Sequence, residues 1–142
     1  MHLLKATLVL KIFLTIGWSA SLLFLSRTQW DELDVPEPKP VLFTRLLGAA
    51  FLALLVGYVL GLRDLWRGKI PVNTMLVGTV SNGLACVILV YFGFQGTWGE
   101  WGSFARYCMW GSAILTGLIT ALLSISFLMI RRRGRYPEVA TG

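Results

Sequence analysis

Four long apolar runs, separated by short polar segments, dominate the hydrophobic pattern of the chain. Residues 46–62, 75–94 and 107–130 contain no Asp, Glu, Lys, Arg or His. A helix needs about 20 such residues to cross a hydrocarbon core of about 30 Å. The first run, 12–26, reaches this length only when it is extended back over Lys11 and Lys5, whose stems can carry their ammonium groups to the headgroups. The pattern predicts transmembrane helices at about residues 6–26, 42–62, 72–95 and 104–130.

A cleaved secretory signal is the alternative interpretation of the first run. Its basic start, its apolar stretch and the small residues of GWSAS fit such a signal. The apolar run continues from Leu22 to Leu25, beyond a cleavage position near Ala20, and this favours an uncleaved first span.

Composition agrees with the pattern. The mean hydropathy is +0.69 and 56% of the residues are hydrophobic, which is far from the balance of a soluble domain of 142 residues. The predicted fold class is therefore an all-α integral membrane protein: one transmembrane domain, residues 1–142, formed by a four-helix bundle.

The distribution of basic residues predicts the orientation. One side of the predicted spans carries nine of them: Lys5, Lys11, Arg63, Arg67, Lys69, Arg131, Arg132, Arg133 and Arg135. The other side carries Arg27, Lys39, Arg45 and Arg106, together with an acidic, proline-rich loop at 27–41. Basic loops stay in the cytoplasm, so both termini and the basic tail 131–142 are predicted to be cytoplasmic, in a multi-pass protein of the cell's inner membrane. A nucleic acid partner is then not needed to explain the net charge of +6, because the basic residues can contact anionic lipid headgroups.

Small residues recur every four positions in the predicted helices and indicate where helices approach one another. In lipid, helices associate by close packing and interhelical hydrogen bonds, which favours such residues at their contacts. The GxxxG of Gly57 and Gly61 fits either the bundle or a homodimer. The predicted packing residues are Ala49, Ala53, Gly57 and Gly61, then Gly78, then Ser112, Thr116, Thr120 and Ser124. The hydroxyls among them can also bond back to the carbonyl four residues earlier.

Candidate chemistry is sparse. The single histidine is His2, and no acidic residue lies within a predicted span. A haem held by two imidazoles, a histidine-rich metal site and the carboxylate of a proton-coupled carrier are therefore not expected, and the sequence predicts no cofactor and no metal.

Four polar residues remain as candidates for ligand binding: Arg45, Asn82, Glu100 and Arg106. Asn82 lies inside a span, where its amide needs a partner, either a neighbouring hydroxyl or a bound molecule. Arg45 is predicted at the outer start of the second span, as an interfacial anchor or as a cation that orients a ligand. Glu100 and Arg106 are predicted at the outer mouth, where a solvated rim is the alternative.

The segment FTRLLGAAFLALLVGYVLGLRD, residues 43–64, resembles the DoxX-like group of small bacterial membrane proteins through its Arg-Leu-Leu-Gly-Ala opening, with Arg45 and Gly48 as the positions carried over. The resemblance implies a four-helix bundle. Some members of that group are membrane subunits associated with oxidoreductases, and many have no assigned role. The broader four-helix class includes intramembrane sterol isomerases, which place acidic side chains inside the bundle, whereas this chain keeps its acids in loops.

Two functions follow as expectations. The favoured one is a non-catalytic membrane protein that acts as an accessory or assembly subunit, or that binds a lipid or a hydrophobic small molecule. The alternative is an isomerase-like intramembrane enzyme or a small dimeric transporter that uses the polar residues of the outer mouth.

Overall fold

A computed structural model describes residues 2–35 and 41–132, and over these ranges the chain is helical. Four of the helices are long and apolar enough to cross a membrane. The fifth is a short helix within the segment that was predicted as a loop. In chain order the helices are α1 (His2–Phe24), α2 (Arg27–Glu32), α3 (Val41–Trp66), α4 (Val72–Phe94) and α5 (Ser103–Arg132).

The ends of the long helices differ from the predicted ones by up to four residues. The two largest differences, of four residues each, are at the start of α1, which begins at His2, and at the end of α3. Helix α3 continues through Arg63 to Trp66, because charged residues beyond the apolar run do not end a helix. Proline-rich residues 36–40 of the predicted outer loop and residues 133–142 of the predicted tail lie outside the described ranges.

Helix α2 follows from a local hydrogen-bond pattern at its start. The Ser26 hydroxyl accepts from the Gln29 backbone N–H, and Gln29 Oε1 accepts from the Ser26 backbone N–H at 2.8 Å. This reciprocal capping box satisfies two backbone donors that a helix start otherwise leaves unpaired. A six-residue helix can therefore form in a segment whose composition suggested only a connector.

The long helices form two antiparallel pairs. Helix α1 packs along α3, and α4 packs along α5, while narrower contacts join α1 to α5 and α3 to α4. The four helices thus form a ring with two distinct ends. We call them the short-turn end, where residues 67–71 connect α3 to α4, and the loop end, where residues 25–35 and 95–102 lie.

Most of the fully buried apolar side chains lie in the half of the bundle near the short-turn end. Every long helix contributes to this core, which unites the two pairs. Its members are Leu4, Leu8, Tyr58, Leu62, Leu65, Met75, Ile119 and Leu123.

Tryptophan rings pack together at the loop end. Trp98 is 4% exposed and lies edge-on to Trp110, with ring centroids 5.8 Å apart. A Cβ placed on Gly93 would lie 2.7 Å from the Trp110 ring and 2.8 Å from the Trp98 ring, so the glycine makes room for both. The loops also meet, because the Gly102 N–H donates to Asp34 O at 3.2 Å.

The close helix contacts of α3 are made by one glycine outside the predicted row and by the last residue of that row. Gly48 contacts α1, where the Ser19 hydroxyl donates to Gly48 O at 3.0 Å, and Gly61 contacts Thr74 of α4. Of the predicted packing residues on α3, Ala49, Ala53 and Gly57 are exposed, and only Gly61 is buried.

The rotation of the helix explains this difference. Residues turn by about 100° each, so a row of residues four apart drifts by about 40° at every step. Ala53 is nine residues from both Thr44 and Leu62, which are buried, and therefore lies about 180° away from them around the helix axis. The predicted row thus runs along the outer face and reaches a helix contact only near Gly61.

The predicted packing residues on α4 and α5 lie buried or half-buried. A Cβ on Gly78 would come within 2.8 Å of Leu123, and the Thr120 side chain lies 3.5 Å from such a position on Gly83. Ser112, Thr116, Thr120 and Ser124 are all half-buried. The Thr116 and Thr120 hydroxyls each donate at 2.8 Å to the carbonyl four residues earlier, so their O–H groups are not available to donate to another helix.

Candidate functional site

Polar side chains from three helices meet inside the bundle and form what we call the polar layer: Lys11 of α1, Tyr58 of α3, and Ser81 and Asn82 of α4. The Tyr58 hydroxyl and the Ser81 hydroxyl are 3.1 Å apart. Lys11 Nζ lies 5.6 Å from the centre of the Tyr58 ring, on its face. The Asn82 side chain lies beside the Tyr58 hydroxyl.

These residues share one depth because their helices run in alternating directions. Lys11 is nine residues from the start of α1, Tyr58 is eight residues before the end of α3, and Asn82 is ten residues after the start of α4. At about 1.5 Å per residue, each lies about 12 to 15 Å from the short-turn end. Each therefore lies between about a third and a half of the way along its own helix, counted from that end.

Asn82 has one satisfied and one unsatisfied polar atom. The residue is 1% exposed, and its Nδ2 donates to Gly78 O of its own helix at 2.6 Å. Its Oδ1 is buried and has no hydrogen-bond partner among the described residues. A buried acceptor without a partner is costly, and in natural structures it often marks the place of a water or a ligand.

Gly78 lies beside the layer. A Cβ at this position would lie 2.8 Å from Leu123 Cδ1 and 3.4 Å from Tyr58 Cε1, so the glycine makes room for Leu123 of α5 and lies in ordinary contact with the Tyr58 ring. Its carbonyl accepts from Asn82 Nδ2. Of the four polar side chains in the layer, only Asn82 was predicted as a candidate from the sequence.

The other members had a weaker signal in the sequence. Lys11 was expected to extend to the headgroups, whereas its ammonium lies over Tyr58 inside the bundle. A tyrosine in the middle of an apolar run is the signal that could have identified Tyr58, because its hydroxyl needs a partner when buried. Which helix would provide that partner depends on the packing alone.

Arg45 holds the end of α1. Its Nη1 donates to Leu22 O at 2.9 Å and its Nη2 donates to Leu25 O at 3.0 Å. The last carbonyls of a helix have no partner within the helix, and a guanidinium fork can satisfy two of them. Arg45 is therefore engaged with backbone carbonyls at the end of α1, while its two predicted roles, interfacial anchor and ligand-orienting cation, stay predictions.

Glu100 and Arg106 lie at the loop end, away from the polar layer. Glu100 lines a shallow depression of about 250 Å³ together with Asp31, Asp34 and Trp101. Arg106 is exposed, and its Nη2 donates to Ser103 Oγ at 3.3 Å. Since Asn82 is twelve residues before the end of α4, it lies about 18 Å from this end. Asn82 therefore lies apart from the other three candidates, which are all at the loop end.

In the described ranges, no group of three or more His, Cys, Asp or Glu side chains is placed to hold a metal ion. Cys86 and Cys108 are free and half-buried, and Cys86 Sγ packs 3.1 Å from the position of a Cβ on Gly117.

Comparison with protein-family models, with curated proteins and with solved structures finds no match. The interpretation of the polar layer therefore depends on its own geometry and chemistry.

Proposed function

We propose that this chain is a non-catalytic, multi-pass membrane protein that binds a lipid or a hydrophobic small molecule between its two helix pairs. The observation that carries the proposal is the unpaired Oδ1 of Asn82, buried in the polar layer between apolar helices that are long enough to cross a membrane. A polar group at this depth has no bulk water to satisfy it, so it needs a partner from the protein or from a bound molecule.

The sparse burial between the polar layer and the loop end supports a binding site there. Towards the loop end, α4 has no fully buried residue between 83 and 94, and α3 has none between 49 and 57. The tight apolar core is on the opposite side of the layer. The half of the bundle near the loop end is therefore the part that can admit a hydrophobic molecule, with the polar layer at its base.

The alternative, an isomerase-like enzyme or a small transporter, requires polar groups that converge on one site. Arg45 is engaged with the carbonyls of α1, Arg106 lies on the surface, and Glu100 lines an open depression. This arrangement favours binding over catalysis.

A second candidate function is that of an accessory or assembly subunit, and the outer face of α3 favours it. Ala49, Ala53 and Gly57 form an exposed row, and a Cβ on Gly57 would meet nothing within 4 Å. Such rows allow close approach of another helix in lipid, from a protein partner or from a second copy of this chain. The similarity of residues 43–64 to the DoxX-like group, some of whose members are such subunits, points in the same direction.

The proposed orientation places both termini in the cytoplasm of a cell with this protein in its inner membrane. It is supported by the excess of basic residues at the short-turn end. In a Cys86→Ser, Cys108→Ser background, a cysteine at Thr97 should react with a membrane-impermeant maleimide added to intact cells, and a cysteine at Thr141 should not. The reverse pattern would refute this orientation.

The binding proposal is tested by mass spectrometry of the full-length protein purified gently from its native membrane. We expect one small molecule retained per chain, and its loss in Asn82→Leu, which removes the amide at similar volume. Thr44→Val is the matched control, because it removes another buried, unpaired polar atom about 21 Å along α3 from Tyr58. A protein partner without any small molecule would support the subunit role and exclude the binding role.

A further inference from the structure

The two helix pairs are joined by the chain at one end of the bundle. We call α1, α3 and residues 25–35 the first pair, and α4, α5 and residues 95–102 the second pair. The turn of residues 67–71, at the short-turn end, is the covalent connection between them, and the buried core lies in the same half of the bundle. Parts of a protein with little buried packing open most easily, so the pairs are freest to separate at the loop end.

Side-chain contacts at the loop end hold each pair together internally. In the first pair, Arg45 of α3 donates to two carbonyls at the end of α1. In the second pair, the Trp98 ring packs against Trp101 of its own loop and Trp110 of α5. Each pair therefore keeps these contacts when it moves as a unit.

A backbone hydrogen bond joins the pairs at the loop end. The Gly102 N–H donates to Asp34 O at 3.2 Å, and a Cβ on Gly102 would collide with Asp34 Cβ. The shallow depression lies at this contact, with Asp31 and Asp34 of the first pair on one side and Glu100 of the second pair on the other. Because like charges repel, these exposed carboxylates oppose the closure that the hydrogen bond maintains.

Entry of a ligand requires such a separation. Asn82 is 1% exposed, so a hydrophobic molecule reaches its Oδ1 only when the packing around it opens. Contacting atoms are about 4 Å apart, so one layer of ligand atoms halfway between Asn82 and the loop end widens the bundle there by about 4 Å. The loop end is about 18 Å from Asn82, twice as far as that midpoint, and should therefore open by about 8 Å.

We propose that the two pairs form a gate, which opens at the loop end and admits a hydrophobic molecule sideways from the membrane to the polar layer. The pairs pivot about the core and the turn 67–71, and the narrow contacts of α1 with α5 and of α3 with α4 are the seams that widen. The bond between Gly102 and Asp34 is the latch. This inference rests on the proposed binding function and adds the route by which the molecule enters.

Distances between spin labels in the full-length protein test the gate. The chain carries the cysteine-free background of the orientation test and is placed in nanodiscs of phosphatidylethanolamine and phosphatidylglycerol. Labels on Thr28→Cys and Thr97→Cys, two exposed positions in different pairs, report on the loop end, and labels on Arg63→Cys and Arg131→Cys report on the short-turn end. We expect two populations at the loop end, about 8 Å apart, and a single distance at the short-turn end.

Two variants should shift the loop-end populations in opposite directions. Gly102→Ala places a methyl group against Asp34 and should make the longer distance the major population. Gly111→Ala is the matched control, because its Cβ would meet nothing within 4 Å, and it should behave as the wild type does. Glu100→Lys replaces repulsion by attraction across the depression and should lower the longer population about twofold to fivefold.

The outcomes separate failure of the gate from failure of the binding function. A single loop-end distance in both the wild type and Gly102→Ala overturns the gate, and a small molecule that is still retained in mass spectrometry leaves the binding function intact. Longer distances at both ends in Gly102→Ala also overturn the gate, because they show general loosening of the bundle. An unchanged longer population in Glu100→Lys refutes the role of the carboxylates. Opening of the loop end in a chain that retains no small molecule refutes the binding function.

Discussion

Replacing Gly61 by alanine should separate α3 from α4, and replacing Gly57 should not. A Cβ on Gly61 would lie 2.6 Å from Thr74 Cγ2 and Oγ1 and 2.8 Å from Thr74 Cβ. Carbon atoms in contact are normally about 3.5 to 4.0 Å apart, so the helices would have to move apart by roughly 1 Å. Because the Thr74 Cβ is fixed to the backbone, a change of rotamer cannot relieve the contact.

The expected magnitude combines two opposing terms. Insertion of a methyl group into a tight contact costs about 1 to 3 kcal/mol, and the replacement of glycine by alanine within a helix contributes about 0.5 to 1 kcal/mol in favour of folding. Gly61→Ala should therefore lower the free energy of unfolding by up to about 2.5 kcal/mol. Gly57→Ala, on the same helix and with nothing within 4 Å of its Cβ, should be neutral or stabilising by up to about 1 kcal/mol.

The assay is reversible unfolding in mixed micelles, followed by helix content and by tryptophan fluorescence. Thr74→Ala removes two of the three atoms that the new Cβ meets, so the double variant should recover part of the loss, with a coupling energy of about 0.5 kcal/mol or more. Equal stabilities of Gly61→Ala and Gly57→Ala would refute the contact between α3 and α4 on which this reasoning depends.

Three further predictions concern other contacts and use the same unfolding assay. Arg45→Met removes two charge-assisted hydrogen bonds to the end of α1 and should cost about 1.5 to 3 kcal/mol, whereas Arg106→Gln on the surface should stay within about 0.5 kcal/mol of the wild type. Ser19→Ala should cost about 1 kcal/mol, because it removes a buried bond between α1 and α3, and no loss would place Ser19 outside that contact. Ala53→Leu should leave the stability of the single chain within about 0.5 kcal/mol, and it should abolish co-purification of any partner that docks on the outer face of α3. Retention of the partner by Ala53→Leu would exclude that face as the docking surface.

The apolar pattern by itself determined the helical class and the number of long helices. Runs of about 20 residues without charge have few alternatives to a helix that satisfies its own backbone in lipid, so this information is local and can be counted along the chain. Local signals also existed for details that the pattern left out, such as Ser26 and Gln29, whose capping box begins α2. Of the candidate residues, Asn82 could be found because an amide in the middle of an apolar run is conspicuous.

Only the tertiary structure decided which faces meet. The row of Ala49, Ala53 and Gly57 is as regular as a true contact row, but it lies on the outer side of α3, because the large side chains of Tyr58, Leu62 and Leu65 occupy the inner side. Small residues permit close approach of another helix at any face. Which face is used depends on the partner helix, and the sequence of one helix contains no information about its partner. The polar layer arose in the same way: Lys11 and Tyr58 are 47 residues apart in the sequence, and they come together because α1 and α3 pack along each other in opposite directions.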